Sequence, residues 1–215
     1  MRYSESVRTV CSSPKADALL FSNALYPLRI IGLNQDEKAS GGMAGLTFMF
    51  MEPAVRNSVF GELSFSWVEE QAPIPYSWKE TGGDLAASVK DALTPVRKQW
   101  LNKGSTSNFA LGNDAKVFLL SLYEVGTDLK SDGAGALGVG KGLNEVYLHF
   151  ESLGIAPGGA NNAQIIKSFN FGEFWLRDRL EKVGDYFTIA YINANGMPGS
   201  QHGNHARNMI PCFCL

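Results

Sequence analysis

Glycine punctuates this chain more densely than any other feature, at 23 of 215 residues, where a globular chain ordinarily carries ~7%. Glycine opens left-handed backbone and weakens the interiors of helices and strands, so a chain punctuated this way is built from short elements joined by many turns. It nevertheless has material for a core. Hydrophobic residues make up 45% of it, with thirteen Phe, four Trp and seven Tyr, which argues against intrinsic disorder.

Between the breakers, several runs carry a readable period. Residues 45–51 and 58–69 are strand-like; in the second, Phe60, Leu63, Phe65 and Trp67 approximate alternation, and Glu52, Pro53 and Asn57 supply a turn that makes an antiparallel pair. Residues 14–23 read as a short helix and 28–33 as a strand. Asp84 is placed to cap a helix whose stripe is Leu85, Val89, Ala92, Leu93, Val96 and Trp100, with Pro95 kinking or splitting it and Gly104 as its stop. The apolar run 116–125 reads as a buried central strand. Residues 143–153 fit either period, with strand narrowly favoured through Val146, Leu148 and Phe150. Residues 173–183 have helical spacing (Phe174, Leu176, Leu180, Val183), and 185–193 form a strong strand.

The charged residues Arg177, Asp178, Arg179, Glu181 and Lys182 then read as the solvated face of that last helix. Strands and helices alternate without regular βα units, so the expected fold is α+β: a mostly antiparallel sheet with two or three packed helices. An all-β sandwich with decorating helices is the alternative. Residues 1–194 are expected to form one globular domain, and 195–215, rich in Gly, Pro and Asn and without periodicity, an irregular C-terminal tail.

Composition narrows the function classes. Charged residues are 19% and the formal net charge is −2, which disfavours an autonomous nucleic-acid binder, because phosphate affinity needs a concentrated basic surface. A low-charge surface instead suits burial against other subunits. The three cysteines are too few and unevenly placed for a disulfide scaffold, pointing to a reducing compartment. The apolar stretch 18–33 is interrupted by Ser22, Asn23, Pro27 and Arg29, so no membrane span or signal segment is expected. The expected location is the cytoplasm or an assembled particle.

Three constellations have the residue types for chemistry or contact. Gly135, Gly138, Gly140 and Lys141 match a phosphate-cradling loop up to the lysine, where backbone amides and an ammonium would wrap an anion. Gly142 replaces the Ser or Thr that would hold magnesium, and no apolar strand leads directly into the loop; a flexible loop or assembly arm is the competing reading. His202, His205, Cys212 and Cys214 place four imidazole and thiol donors near one another, the ligand types zinc prefers, although Cys-X-Cys makes a tight chelate. Phe169, Phe171, Phe174 and Trp175 crowd one segment and are candidate assembly contacts, with core packing as the plain alternative. A cysteine box for lipidation, a serine-hydrolase elbow and a glycosidase carboxylate pair all lack the required spacing.

Low charge, high glycine, Phe-rich segments and the lack of a catalytic signature together favour a structural subunit of a virion, tail or filament-like assembly. It would act by self-association, without intrinsic catalysis, membrane or cofactor. The alternatives are an enzyme with a dispersed site using the 135–142 loop as an anion cradle, and a subunit that contacts nucleic acid only within a complex.

Overall fold

The computed structural model describes residues 18–21, 24–58, 91–101, 109–127, 145–183 and 186–215. In chain order these form β1 (Ala18–Phe21), β2 (Ala24–Leu33), β3 (Leu46–Phe50), β4 (Val55–Ser58), β5 (Val96–Leu101), β6 (Phe109–Ala115), β7 (Val117–Phe118), α1 (Leu148–Ser152), α2 (Asn162–Ser168), β8 (Phe174–Val183), β9 (Tyr186–Ile192), β10 (Pro198–His202), β11 (Arg207–Met209) and β12 (Cys212–Cys214). The described chain is thus sheet-rich, with two short helices and helical residues at 91–92. Two five-stranded sheets have the orders β1-β2-β3-β12-β7 and β10-β9-β8-β11-β4, and β5 pairs with β6. Pairing is antiparallel except between β11 and β8.

The alternation of β3 explains the first sheet. Thr47 and Met49 point to one face, Leu46, Phe48 and Phe50 to the other, as the period of two demands. On the first face Met49, Phe118, Cys212 and Cys214 join a core shared with Leu176, Leu180 and Ile192 of the second sheet and with Phe150 and Ile166 of the two helices. On the other, Phe48, Phe50, Val117 and Phe213 make a separate cluster. Phe48 stacks on Phe213 with ring centroids 5.4 Å apart, and Phe50 meets Phe213 edge-on at 6.2 Å.

β3 and β9 lie within the expected strands 45–51 and 185–193, and the expected strand 28–33 lies in β2, which extends back to Ala24. Several expectations are corrected. Residues 18–21, assigned to a helix, are a strand paired with β2. Residues 96–101, assigned to the helix running past Pro95, are the strand β5: the proline ends the helical stretch, and the chain continues extended against β6. Of the apolar run 116–125 only Val117–Phe118 is strand; beyond Leu120 it turns. Leu148–Ser152 is helical, not strand.

Residues 173–183 are not a helix but the strand β8, in which Phe174, Leu176 and Leu180, all at even positions, face the shared core. Arg177 and Asp178 are therefore buried, not solvated. The 195–215 segment is not irregular, since it contributes β10, β11 and β12. Strands of three to five residues are too short to show a period, but the pairing of Cys212–Cys214 with Thr47–Met49 puts the segment inside the first sheet. The expected 58–69 strand and the 84–90 part of the helix lie outside the described residues, Ser58 excepted.

The helices close one end of the core. Buried Asn162 donates to the carbonyls of Gly126 and Ala156, each at 2.6 Å, tying α2 to the turn after residue 122. The 193–197 turn lies on α2 so closely that a Cβ at Gly196 would run into the carbonyl of Ala163, and its φ of 79° favours glycine in any case. Among the described residues no helix is long and apolar enough to cross a membrane.

Candidate functional site

The unusual chemistry of this molecule lies inside the shared core. Lys98 is fully buried, and Asp36, Glu124, Arg177, Asp178, Thr47, Ser121 and Tyr147 around it are buried as well. Isolated charges at such depth are prohibitive, so each must be paired. Asp36 stands just after β2, Thr47 on β3, Lys98 on β5, Ser121 and Glu124 in the turn after β7, Tyr147 at the N-cap of α1, and Arg177 and Asp178 on β8. Residues more than a hundred positions apart thus meet in one network.

Lys98 Nζ is its hub. It contacts Asp36 Oδ1, donates to Glu124 Oε1 at 2.9 Å and to Tyr147 Oη at 2.7 Å, and lies 4.0 Å from the centre of the Phe118 ring. The Tyr147 hydroxyl reaches Asp36 Oδ1 at 3.0 Å and Oδ2 at 3.1 Å. Oδ2 also accepts from the Thr47 hydroxyl and, at 3.4 Å, from the Cys214 thiol. Glu124 Oε2 accepts from Arg177 Nη1 at 2.5 Å and from the Ser121 amide at 2.9 Å, while the Ser121 hydroxyl accepts from the Glu124 amide at 3.2 Å. That reciprocal pair is a capping box, and it explains why the 116–125 run leaves the strand. Arg177 also donates to the Leu119 carbonyl at 2.6 Å and the Gln99 carbonyl at 3.0 Å. Asp178 accepts the amides of Leu101 at 2.8 Å and Leu122 at 2.6 Å.

Burial by itself would drive every one of these groups to its neutral form. It pushes Asp36 up, but the Lys98 charge and hydrogen bonds from Lys98, Thr47 and Tyr147 outweigh it and hold the carboxyl below its ordinary range. Glu124 is likewise held low, against burial, by Arg177 and Lys98. Burial lowers Lys98, but Asp36 and Glu124 raise it further, so it stays protonated. Asp178 is different: burial dominates over Arg177 and the two amides, and its carboxyl rises to about 6. Tyr147 is driven well up by burial and by Asp36 and Glu124, so it remains a hydroxyl donor. In this linked set three carboxylates face two cations, and Asp178 is the one free to take up a proton.

The sequence-predicted residues lie elsewhere. Gly135, Gly138, Gly140 and Lys141 fall outside the described residues. Cys212 and Cys214 are buried in β12, with thiols pushed up by burial, whereas His202 ends β10 in the other sheet and His205 follows it. Among the described residues no group of three or more His, Cys, Asp or Glu is arranged to hold a metal. His205 Nε2 lies 3.0 Å from Gln201 Nε2, and Gln201 Oε1 contacts Arg207, whose guanidinium covers the Tyr191 ring at 3.6 Å and the Trp175 ring at 4.6 Å. Phe171, Phe174 and Trp175 are buried within the chain and Phe169 half-buried. Phe169 stacks on Phe171 at 5.4 Å, which meets Phe174 edge-on at 5.6 Å. The surface of Phe171, Phe174 and Trp175 goes into the chain's own core, and Phe169 packs against its edge.

No family model, curated protein or solved structure matches this chain. Its chemistry is read from the network alone. None of the buried polar atoms of Asp36, Lys98, Glu124, Arg177, Asp178 and Tyr147 lacks a partner, so the arrangement locks β3, β5, β8 and the turn after β7 together. The network is hidden in the sequence because Asp36, Lys98 and Glu124 stand far apart, and Arg177 and Asp178 sit in a charged run that resembles a solvated face. Two signals were present: Ser121 and Glu124 have capping-box spacing, and Lys98 follows Val96 at strand alternation, which puts a charge on a buried face.

Proposed function

We propose that this chain is a structural subunit that works by self-association, as an assembled particle requires, and does not turn over a substrate. The observation that carries this reading is the second face of the first sheet. Its register sets Leu33 opposite Leu46 and Ile30 opposite Phe48, and β12 adds Phe213 beside Phe48, with Leu215 bonded to Leu46 through both backbone groups. Phe48 and Phe213 in the interior of this face are covered, yet the apolar surface continues past the cover: Ile30 is 41% exposed, Leu33 47% and Leu215 43%. A contiguous apolar strip at the open end of an otherwise packed sheet face suits contact with a neighbouring subunit.

The self-sealed ion network supports the same reading, since it invests the buried charge in rigidity. The two sheets with α1 and α2 closing one end are read as an α+β domain in preference to a decorated β-sandwich, and the location as the cytoplasm or an assembled particle. Sedimentation velocity of the full chain over a wide concentration range tests the reading. We expect mass-action growth to oligomers that Leu33→Asp prevents; a wild-type chain that stays monomeric at every concentration overturns it.

A further inference from the structure

We propose that Lys98 and Asp36 join covalently, through a side-chain amide formed within the folded chain by loss of one water, with Glu124 as base and Tyr147 as proton relay. The inference does not depend on the chain being an assembly subunit. It rests on the arrangement around Lys98 Nζ, which has a carboxylate oxygen of Asp36 on one side, the Glu124 carboxylate on the other and a hydroxyl spanning the Lys98–Asp36 pair.

Each part an amide condensation needs is present. The nucleophile and the carboxyl group that carries the electrophilic carbon are already in contact through Oδ1, with Lys98 held on β5 and Asp36 in the bend after β2, which replaces a collision by a positioned encounter. Glu124 Oε1, 2.9 Å from Nζ, accepts one ammonium proton and frees the lone pair. As that pair attacks Asp36 Cγ, the Tyr147 hydroxyl passes a second nitrogen proton to Oδ1, which neutralises the carboxylate's own charge there. Charge then develops on Oδ2, where the Thr47 hydroxyl and the Cys214 thiol at 3.4 Å already point, an oxyanion cradle held in place before the reaction. Oδ1 is the leaving oxygen. The Tyr147 hydroxyl bonds both Nζ, at 2.7 Å, and Oδ1, at 3.0 Å, so it passes protons from nitrogen to oxygen.

The balance closes without any co-reactant. The ammonium and carboxylate become one amide and one water; the N–Cγ bond forms as the Cγ–Oδ1 bond breaks; Nζ keeps one proton and Oδ1 departs with two. Glu124 returns the proton it accepted to the nitrogen, from which Tyr147 passes a proton on to Oδ1, so that both side chains end as they began. The surroundings favour the product, because an apolar core that must otherwise hold an ion pair against its desolvation receives a neutral amide instead. Phe118 at 4.0 Å and the buried ring of Tyr147 shield the site from the water that would reverse the step. The link is intramolecular and forms once per chain, so it is distinct from turnover.

Intact-mass spectrometry of the denatured, purified full chain decides the matter without any variant. The expected mass is that of the sequence less one water, with a branched proteolytic peptide joining Lys98 to Asp36. The full sequence mass, with ordinary tryptic cleavage after Lys98, overturns the proposal. So does a water deficit that persists in Asp36→Ala. Glu124→Gln keeps the shape but removes the base, and linkage is expected to slow by roughly 100-fold or more, leaving folded chains at full mass. If that variant does not fold, Tyr147→Phe, which keeps the ring and removes the relay, is read in its place. Wild-type linkage rates in the folded variant eliminate the corresponding role.

Discussion

The two faces of the first sheet share the same backbone and differ in what their side chains do with burial. On β3, Thr47 faces Asp36 and Cys214 across a polar, hydrogen-bonded interior, while Phe48 and Phe50, on the other side of the pleat, pack in a cluster of rings and aliphatic chains. The outer face is held by dispersion and apolar burial, which are non-directional and forgive small shifts. The inner face is held by charges whose burial is tolerable only in one geometry. The comparison suggests a division of labour, in which the aromatic face contributes cohesion and the ionic face fixes the relative positions of β3, β5, β8 and the turn after β7.

The largest effect is expected where the ionic face is broken. Glu124→Ala leaves Lys98 and Arg177 buried with one partner carboxylate fewer, and should cost about 3–5 kcal/mol in chemical denaturation. Phe213→Ala opens a cavity between Phe48 and Phe50 and should cost about 3 kcal/mol. The sharper distinction is in pH dependence. The Phe213 variant should keep the wild-type pH profile of stability, whereas Glu124→Ala should alter it, because the shifted carboxyls Glu124 and Asp178 belong to the ionic side. Parallel profiles would mean that the two faces do not differ in the way described.

Asp178 gives the ionic face its own signature. Burial raises its carboxyl from an ordinary 3.8 to about 6, so the folded chain binds a proton that the unfolded chain does not hold between those values. The resulting stabilisation is complete below the unfolded value and is lost as pH rises through about 6, a change of about 2–3 kcal/mol. Glu124, held low, acts in the opposite sense: its contribution is present above the ordinary carboxylate range and disappears as pH falls through its depressed folded value. Stability should therefore peak in mildly acidic solution. In Asp178→Asn the gain on going from neutral pH towards about 4 should vanish, whatever the variant's absolute stability; a retained peak would assign the titration to another group.

The same contrast explains what could be read in advance. Strand 46–50 and strand 185–193 announced themselves because apolar and β-branched residues dominate them and a local period suffices. β8 did not, because Phe174, Leu176 and Leu180 satisfy both helical spacing and an even-numbered strand face, and charges at 177–179 look solvated unless their partners are known. Those partners, Glu124 and the amides of Leu101 and Leu122, lie more than fifty positions away. β12 is three residues long, and only its pairing with β3 makes it a strand. The outer face of β3 was thus legible from local pattern, while the inner face is a product of topology.

The smallest effect on stability, and the finest test of the comparison, is at the open end of the aromatic face. Leu33 sits opposite Leu46 but is nearly half exposed, so Leu33→Asp removes little buried area and should change the stability of the isolated chain by no more than ~0.5 kcal/mol. Phe48→Asp, on the same face but fully inside the cluster with Phe213, places a carboxylate where no partner stands and should be severely destabilising. If Leu33→Asp lowers stability as much as Phe48→Asp, the strip is part of the chain's own core and the apolar face has no open end. If it leaves stability unchanged and abolishes association, cohesion within the chain and cohesion between chains are drawn from one continuous surface, divided only by where its own cover stops.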